Sequence, residues 1–383
     1  MTGSFPFPET EDGRKRLLSE GETTHQSCMC FMEFIFWLSL SFVFYVYAGY
    51  PVLLALLRRF IARPVKKRYW EPDVSIVIAA YNERQIIEKK LQNCLALDYP
   101  RRKLQIIVSL DGSTDGSQFL VWQYAARGVE LVYSKEHRGK AAALNSAVGR
   151  ARGEIVVFAD ARQTFARSAI RELVANFSDE RVGAVSGELL LMDNSQEEAT
   201  SDVGLYWRYE KAIRSLESEI RSVPGATGAI YAVRRHLYRD LPEDTLLDDV
   251  LVPLRIVLGG KRAVFDPEAK AYDVVACCPA AEYGRKVRTL AGNYQLLAHA
   301  PELLLPWRNP IFFQFVSHKV GRLLVPYALI ALAVTNAFML HGMYTVTFSL
   351  QAVWYLFAAA GYLTSRRTTV EPIVFAEESK RAA

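Results

Sequence analysis

Between Pro72 and Pro301, short apolar runs alternate with segments of helical periodicity. Val74 to Ala80, VSIVIAA, has strand length and is bounded by Pro72 and Asn82. Helical patterning follows from Ile86 to Leu97, and Leu104 to Leu110 is the next strand. Ser113 or Thr114 is placed to cap the helix after it. Val129 to Tyr133 then reads as a strand, Lys140 to Arg150 as a helix, Ile155 to Asp160 as a strand and Ala166 to Asn176 as a helix. Continuous apolar runs suit strands covered on both faces, and their alternation with helices predicts a mostly parallel α/β sheet. Beyond Gly183 the alternation loosens. Val182 to Leu191 reads as a strand, Ser201 to Glu219 as a charged helix and Ala229 to Val233 as a strand.

Longer apolar stretches flank this region. Phe34 to Leu57 holds no charged residue, and neither does Leu323 to Ser365, which is long enough for two crossings with a turn at His341-Gly342. Six basic residues, Arg58, Arg59, Arg63, Lys66, Lys67 and Arg68, follow the first stretch. Arg14, Lys15 and Arg16 precede it amid acidic residues. An excess of Lys and Arg marks the cytoplasmic flank. The chain therefore divides into a tail (1–33), a transmembrane helix (34–57), a cytosolic α/β domain (72–301), an interfacial segment (302–322), a transmembrane hairpin (323–365) and a second tail (366–383). Pro306-Trp307-Arg308 and Phe312 to Phe315 give the interfacial segment its aromatic and basic character. A signal peptide is excluded because the first apolar stretch starts late and runs too long.

The 383 residues are 51% hydrophobic, and the membrane segments absorb the excess. The net charge of +5 is mostly the juxtamembrane cluster, which favours an anionic bilayer surface over nucleic acid. The five cysteines, with Cys277-Cys278 adjacent and Cys94 in a helix, show neither zinc spacing nor a disulfide framework.

Candidate chemistry lies at strand ends. IIVSLDGSTDGS and IVVFADARQT are apolar strands that stop at Asp111 and Asp160. In an open α/β sheet, ligands bind beyond the carboxyl ends of the strands. A carboxylate there accepts from a ligand or holds a cation. Tyr81, Asn82 and Glu83 end the first strand at the same edge. Arg138-Gly139-Lys140 opens a helix, which favours an anion. Asp248-Asp249 follow the glycine-bearing PGATG segment, Pro224 to Gly228. Strand-end acids, a Gly-Lys and a late acid pair suggest an enzyme handling a metal-bound diphosphate. Turns, helix caps and a solvated basic loop are the structural alternatives at these positions, and capping fits Asp115 as well as Asp248.

The ordered set AYNE, DGSTDGS, HRGKAAALN, FADA, GATGAIYAVRR and LLDDV resembles a membrane-bound family 2 glycosyltransferase of cellulose, chitin and hyaluronan synthase type. The resemblance covers Val74 to Arg288. It implies a GT-A fold, a nucleotide-diphospho-sugar donor, usually a UDP-sugar, inversion at the anomeric carbon, and Mg²⁺ or Mn²⁺. It places Tyr81, Glu83, Asp111, Gly139, Lys140 and Asp160 at the donor, with Asp160 also on the metal. It puts Gly225, Thr227, Gly228 and Asp248 around the sugar and acceptor, makes Asp249 the catalytic base, and sets Arg285 and Arg288 on the diphosphate. Two departures stand out. Phe158 occupies the first position of a DxD motif that ends at Asp160, and Arg162 the last position of one that starts there. Arg285 and Thr289 replace the outer residues of QxxRW. The expected partners are the donor, a glycan or lipid-linked acceptor, the bilayer, and a second copy or synthase subunits. A non-catalytic, nucleotide-sugar-binding regulator is the alternative that Arg162 and Thr289 motivate.

The charge pattern generates a topology test. A cysteine introduced on the surface of 72–301 is expected to resist a membrane-impermeant maleimide in intact cells and to react once they are permeabilised. Labelling in intact cells would contradict the orientation.

Overall fold

The structure, a computed structural model, describes residues 11–192, 202–274 and 279–368. The side chains of Arg14, Lys15, Arg16, Arg366 and Arg367, and Ser201, Cys277 and Cys278 altogether, lie outside the described part. Two compact units are formed: Tyr50–Val320, and the terminal segments Met1–Gly49 with Gly321–Ala383.

The larger unit is built on one eight-stranded mixed sheet. Its strands are β1 (Val74–Ala80), β2 (Leu104–Asp111), β3 (Val129–Ser134), β4 (Ile155–Asp160), β5 (Thr164–Phe165), β6 (Val182–Met192), β7 (Ile230–Arg234) and β8 (Arg262–Val274). The order is β3-β2-β1-β4-β7-β6-β8-β5. The first four strands are parallel neighbours, as their uninterrupted apolar runs require. β7 runs antiparallel between β4 and β6, so the second half closes onto the first through a reversed strand. β8 pairs in parallel with β6 through two irregularities. At 13 residues it is long, yet its mixture of Arg, Asp, Glu and Lys hides the strand pattern from periodicity.

Both faces of the sheet are covered. Ile76, Ile78, Ile106 and Val108 join one core with Ile87 and Leu91 of the helix Arg84–Leu95 and with Ile170 and Leu173 of Ala169–Ala175. Val77, Ile107, Val156 and Phe158 point the other way, toward Leu144 of the helix Lys140–Val148 and Leu251 and Leu254 of Asp248–Leu258. The two-residue period of a strand produces this division. It also puts Phe158 and Asp160 on one face. Phe158 is buried, stacked on Tyr231 at 4.5 Å between ring centroids and facing Tyr238 at 5.7 Å. The position where the DxD pattern wants an acid is thus the floor of the second core.

In the terminal unit, the helix Glu11–Phe44 runs into a widened turn, Tyr45–Gly49. Phe36 packs edge-on against Tyr344 at 5.2 Å, and Trp37 Nε1 donates to the Tyr344 hydroxyl at 3.2 Å. Gly342, at φ +53°, lies between the helices Gly321–Phe338 and Met343–Thr368. Among the described residues, three helices are long and apolar enough to cross a membrane: Gln26–Ile61, Phe312–Phe338 and Met343–Thr364. At 22 residues the shortest spans about 33 Å, enough for a hydrocarbon core of about 30 Å.

Removing the floor should be costly. Phe158→Ala is expected to destabilise the domain by about 3–5 kcal/mol. At roughly 2–4 °C per kcal/mol, thermal unfolding should register it as a clear fall in Tm. An unchanged Tm would contradict the stacked core.

Candidate active site

The carboxyl ends of β1, β2 and β4 converge on one edge of the sheet, and the loops beyond them clasp one another. Asn82 adopts φ +54°, and its Oδ1 accepts from Thr114 N at 2.8 Å while its own N–H donates to Ser113 Oγ at 3.1 Å. Asp115 accepts from Arg84 N at 2.8 Å and Ser117 N at 3.0 Å. Asp115 thereby serves the start of the helix Ser117–Gln123, the task expected of Ser113 or Thr114. Tyr81 projects from this clasp and stacks on His137, with centroids 4.1 Å apart. Glu83 lies in the same group. Burial raises its carboxyl pKa, Arg162 opposes the rise, and Asp115 and Asp160 add to it.

Asp111 is the anchor of the basic loop. It is 4% exposed, and its carboxylate accepts from Arg138 N at 2.9 Å and Gly139 N at 2.7 Å, with His137 Nδ1 at 2.8 Å. Such a carboxylate has about four acceptor positions. Most of Asp111 is therefore spent on holding residues 137–139. Gly112, at φ +68°, permits this approach, because a Cβ there would meet His137 N at 2.6 Å. Arg138 pairs with Glu243. Asn145, further along the same helix, clamps residues 238–241 instead: its Oδ1 accepts from the Tyr238 hydroxyl and Leu241 N.

Lys140 is the meeting point. Its ammonium lies 2.9 Å from Asp160 Oδ1 and 3.1 Å from Asp248 Oδ1. Burial works against its charge, but Asp248, Asp160 and Asp249 outweigh burial and leave its pKa raised. Asp248 also accepts from the Tyr231 hydroxyl at 3.1 Å. The Phe158–Tyr231 stack therefore reaches up to the acid pair. Asp248 and Asp249 occupy the first turn of the helix Asp248–Leu258 rather than capping it. Burial first, and then repulsion from Asp248, push the Asp249 carboxyl up to about 6, against the pull of Lys140 and Lys319. A helix N-terminus favours an ionised acid, but burial and Asp248 outweigh that at Asp249. A carboxyl near 6 suits proton abstraction at neutral pH.

The Gly225–Gly228 segment wraps Asp249. Ala226 N donates to the Asp249 carbonyl at 2.8 Å, and a Cβ on Gly228 would lie 3.1 Å from Asp249 Oδ2. Arg285 and Arg288 lie on the helix Pro279–His299, with Arg288 exposed. The residues joining that helix to the acid pair are others. A Cβ on Gly292 would meet Leu247 Cγ at 2.5 Å, and Gln295 Oε1 accepts from Leu246 N at 2.9 Å. Arg162 turns sideways, its Nε and Nη2 donating to Asp273 Oδ2 at 3.1 and 2.7 Å. Tyr231, His137, Gln295 and Asp273 all enter the site without having been foreseen. Only His137 carried a sequence signal, its place directly before Arg138-Gly139-Lys140.

The donor set fits a divalent cation in one way only. Among the described residues, no three His, Cys, Asp or Glu side chains cluster as metal ligands. Asp248 is engaged by Lys140 and Tyr231, one at each oxygen. Asp160 is engaged at Oδ1 alone, and 38% of its side chain is exposed. A hard cation sharing Asp160 with phosphate oxygens is compatible with this arrangement.

Residues 75–241 match Glycosyl transferase family 2. The poly-beta-1,6-N-acetyl-D-glucosamine synthase of Staphylococcus aureus is 26% identical over 229 residues, 58% of this chain and 55% of that protein. The chain spans about half the length of the curated relatives it matches. Among solved structures, the mannosyltransferase PcManGT from Pyrobaculum calidifontis, in complex with GDP-mannose and Mn²⁺, superposes with a TM-score of 0.66 at 26% identity. That likeness covers 88% of this chain and 94% of the other.

The central cation can be tested directly. Lys140→Met leaves Asp160 and Asp248 facing each other without a counter-charge. UDP affinity, measured by calorimetry on detergent-solubilised protein, should fall by about tenfold or more, the equivalent of one lost charge-assisted contact of at least 1.4 kcal/mol. Unchanged affinity would remove Lys140 from the donor site.

Proposed function

The chain is a family 2 glycosyltransferase by its residues 75–241, and on that premise we propose that it moves one sugar from a UDP-sugar to a glycan or lipid-linked hydroxyl at the cytosolic face of a membrane. The single observation that carries the proposal is Lys140, held between the strand-end acid Asp160 and the acid pair Asp248-Asp249. It joins a phosphate-attracting helix N-terminus to a candidate base in one constellation.

In this proposal Tyr81 and His137 offer an aromatic face to the base of the nucleotide. Asp111 shapes the loop that carries Gly139 and Lys140, and Lys140 turns toward the diphosphate. Asp160 would hold a divalent cation together with diphosphate oxygens, and the cation would stabilise charge on the leaving diphosphate. Gly225, Thr227 and Gly228 form the wall for the transferred sugar and the acceptor. The acceptor oxygen attacks the anomeric carbon, the bond from that carbon to the diphosphate oxygen breaks, and configuration inverts. Asp249 takes the acceptor proton, because its raised pKa lets it hold a proton that an ordinary carboxylate would release. Asp248 stays fixed by Lys140 and Tyr231. Arg285 and Arg288 are proposed to meet the diphosphate if the helix Pro279–His299 leans in; Arg162 is already committed to Asp273.

The basic cluster Arg58 to Arg68 and the three membrane-length helices support an integral membrane protein of the plasma membrane with this domain in the cytosol. Three spans make a narrow path within one chain, so export of a polymer would call on a second copy or partner subunits. GDP-mannose is the second donor reading, favoured by the ligand of PcManGT.

One experiment addresses donor, metal and base together. Purified full-length protein in detergent, with membranes of the expressing cells as the acceptor source, is assayed for nucleotide release from UDP-N-acetylglucosamine, UDP-glucose and GDP-mannose. Mg²⁺, Mn²⁺ and chelator are compared. Turnover is expected with one of the UDP-sugars and a divalent cation. Asp249→Asn should lower it by about 10²–10⁴-fold while UDP affinity stays near wild type. Wild-type turnover in that variant would place the base elsewhere.

A further inference from the structure

The loop Gly225–Gly228 is held from two sides, and only one of them is the acid pair. On the far side stands Arg214, on the helix Asp202–Ile220. Its Nη1 donates to Thr227 Oγ1 at 2.6 Å and its Nη2 to Ser186 Oγ at 2.6 Å. Ser186, on β6, in turn accepts from Thr227 N at 3.0 Å. Thr227 is therefore gripped at both its hydroxyl and its amide. The guanidinium also lies over the Phe265 ring, 4.8 Å from its centroid.

A part-buried arginine is a costly way to hold a loop. Burial lowers its pKa, and Glu210, Glu217, Asp249 and Glu188 offset part of that by surrounding it with negative charge. The planar fork explains the choice, because two hydroxyls on separate elements are met by one rigid group. A lysine supplies the charge without the fork. The helix that carries Arg214 is itself fixed one turn later. Glu217 is fully buried, accepting from the Tyr50 hydroxyl at 2.6 Å, with His318 Nδ1 at 2.8 Å. Thr227 thus stands between a braced helix and the Asp249 carboxylate, which the missing side chain of Gly228 lets approach.

We propose that Arg214 is a positioning residue for the acceptor side of the reaction: it presses the Thr227 loop against Asp249, so that an acceptor hydroxyl is delivered between the base and the donor sugar. The inference rests on the reading of Asp249 as the base and of Gly225–Gly228 as the acceptor wall. It names a residue 35 positions upstream of Asp249 that acts without touching donor or acceptor. Its effect belongs to the acceptor step and not to nucleotide binding. Misplacement of a reacting group by about 1 Å costs on the order of 10²-fold in rate.

The test uses full-length protein in detergent, with UDP and whichever of UDP-N-acetylglucosamine, UDP-glucose or GDP-mannose the wild type turns over. Arg214→Lys, Thr227→Val, their double variant and Thr227→Ser are compared for UDP affinity, thermal unfolding and the split between sugar transferred and sugar released as free monosaccharide. Arg214→Lys and Thr227→Val are expected each to lower transfer by about 10–100-fold and to raise the free-sugar share. UDP affinity should stay within about twofold of wild type. Thr227→Ser keeps the hydroxyl and should restore transfer. The double variant should be no worse than the poorer single, since both remove one coupling. Additive losses, or equal falls in transfer, UDP affinity and Tm, would overturn the positioning role. Asp249→Asn separates the two claims. If it is inactive while both Arg214→Lys and Thr227→Val keep wild-type transfer, the inference fails and the base assignment stands. If Asp249→Asn transfers at the wild-type rate, the base assignment fails whatever Arg214 does.

Discussion

One ammonium group organises this site. Lys140 stands at the start of a helix, and its nitrogen bridges Asp160 at the end of β4 and Asp248 at the start of a second helix. Without that bridge, Asp160 and Asp248, from distant parts of the chain, would converge with their paired cation gone, a situation that costs several kcal/mol when charges are partly buried. Everything around the bridge supports it. Asp111 ties down the loop before Lys140 through two backbone N–H groups. The Phe158–Tyr231 stack fills the core below and delivers a hydroxyl to Asp248. The bridge also prepares chemistry. In the proposed function an incoming diphosphate would compete for the lysine, and each carboxylate it released would become more available to a cation or a proton.

Much of the sheet was legible in the chain. β1, β2, β3 and β4 are short apolar runs between helices, and their ends fell within one residue of the expected positions. The acids at those ends were visible because a strand that stops at an Asp, in a parallel sheet, delivers it to the ligand edge. The rest of the site was not legible for a physical reason. Tyr231, Gly292, Gln295 and Arg214 act through contacts made across long sequence separations, and nothing local distinguishes them from ordinary strand or helix residues. β8 was missed because a strand that binds polar partners, such as Asp273 with Arg162, loses its apolar signature. Phe158 and Arg162 looked like damage to a metal motif. In the fold the first is a core residue beneath the site and the second an ion pair beside it.

The two departures no longer argue for a binding-only protein. Residues 75–241 match Glycosyl transferase family 2, and the structure brings an acid of raised pKa, Asp249, together with the cationic Lys140, the pair to which the proposed function gives the acceptor and the leaving group. With Phe158 and Arg162 at the other DxD positions, a bound cation would depend on Asp160. With Thr289 in place of the QxxRW aromatic, the proposed acceptor wall would fall to the loop around Thr227, which is braced by polar contacts from Arg214 and Ser186.

The central claim is that burial and the neighbouring Asp248 prepare Asp249 as a base, and the pH dependence of kcat/KM tests it most directly, since that ratio reports groups of the free enzyme. A base must be deprotonated to act. With its pKa raised to about 6, Asp249 should be mostly ionised at pH 7 and progressively protonated below pH 6. The account predicts an acid limb with an apparent pKa near 6, below which kcat/KM falls about tenfold per pH unit. An acid limb near 4, the range of an ordinary exposed carboxylate, would contradict it.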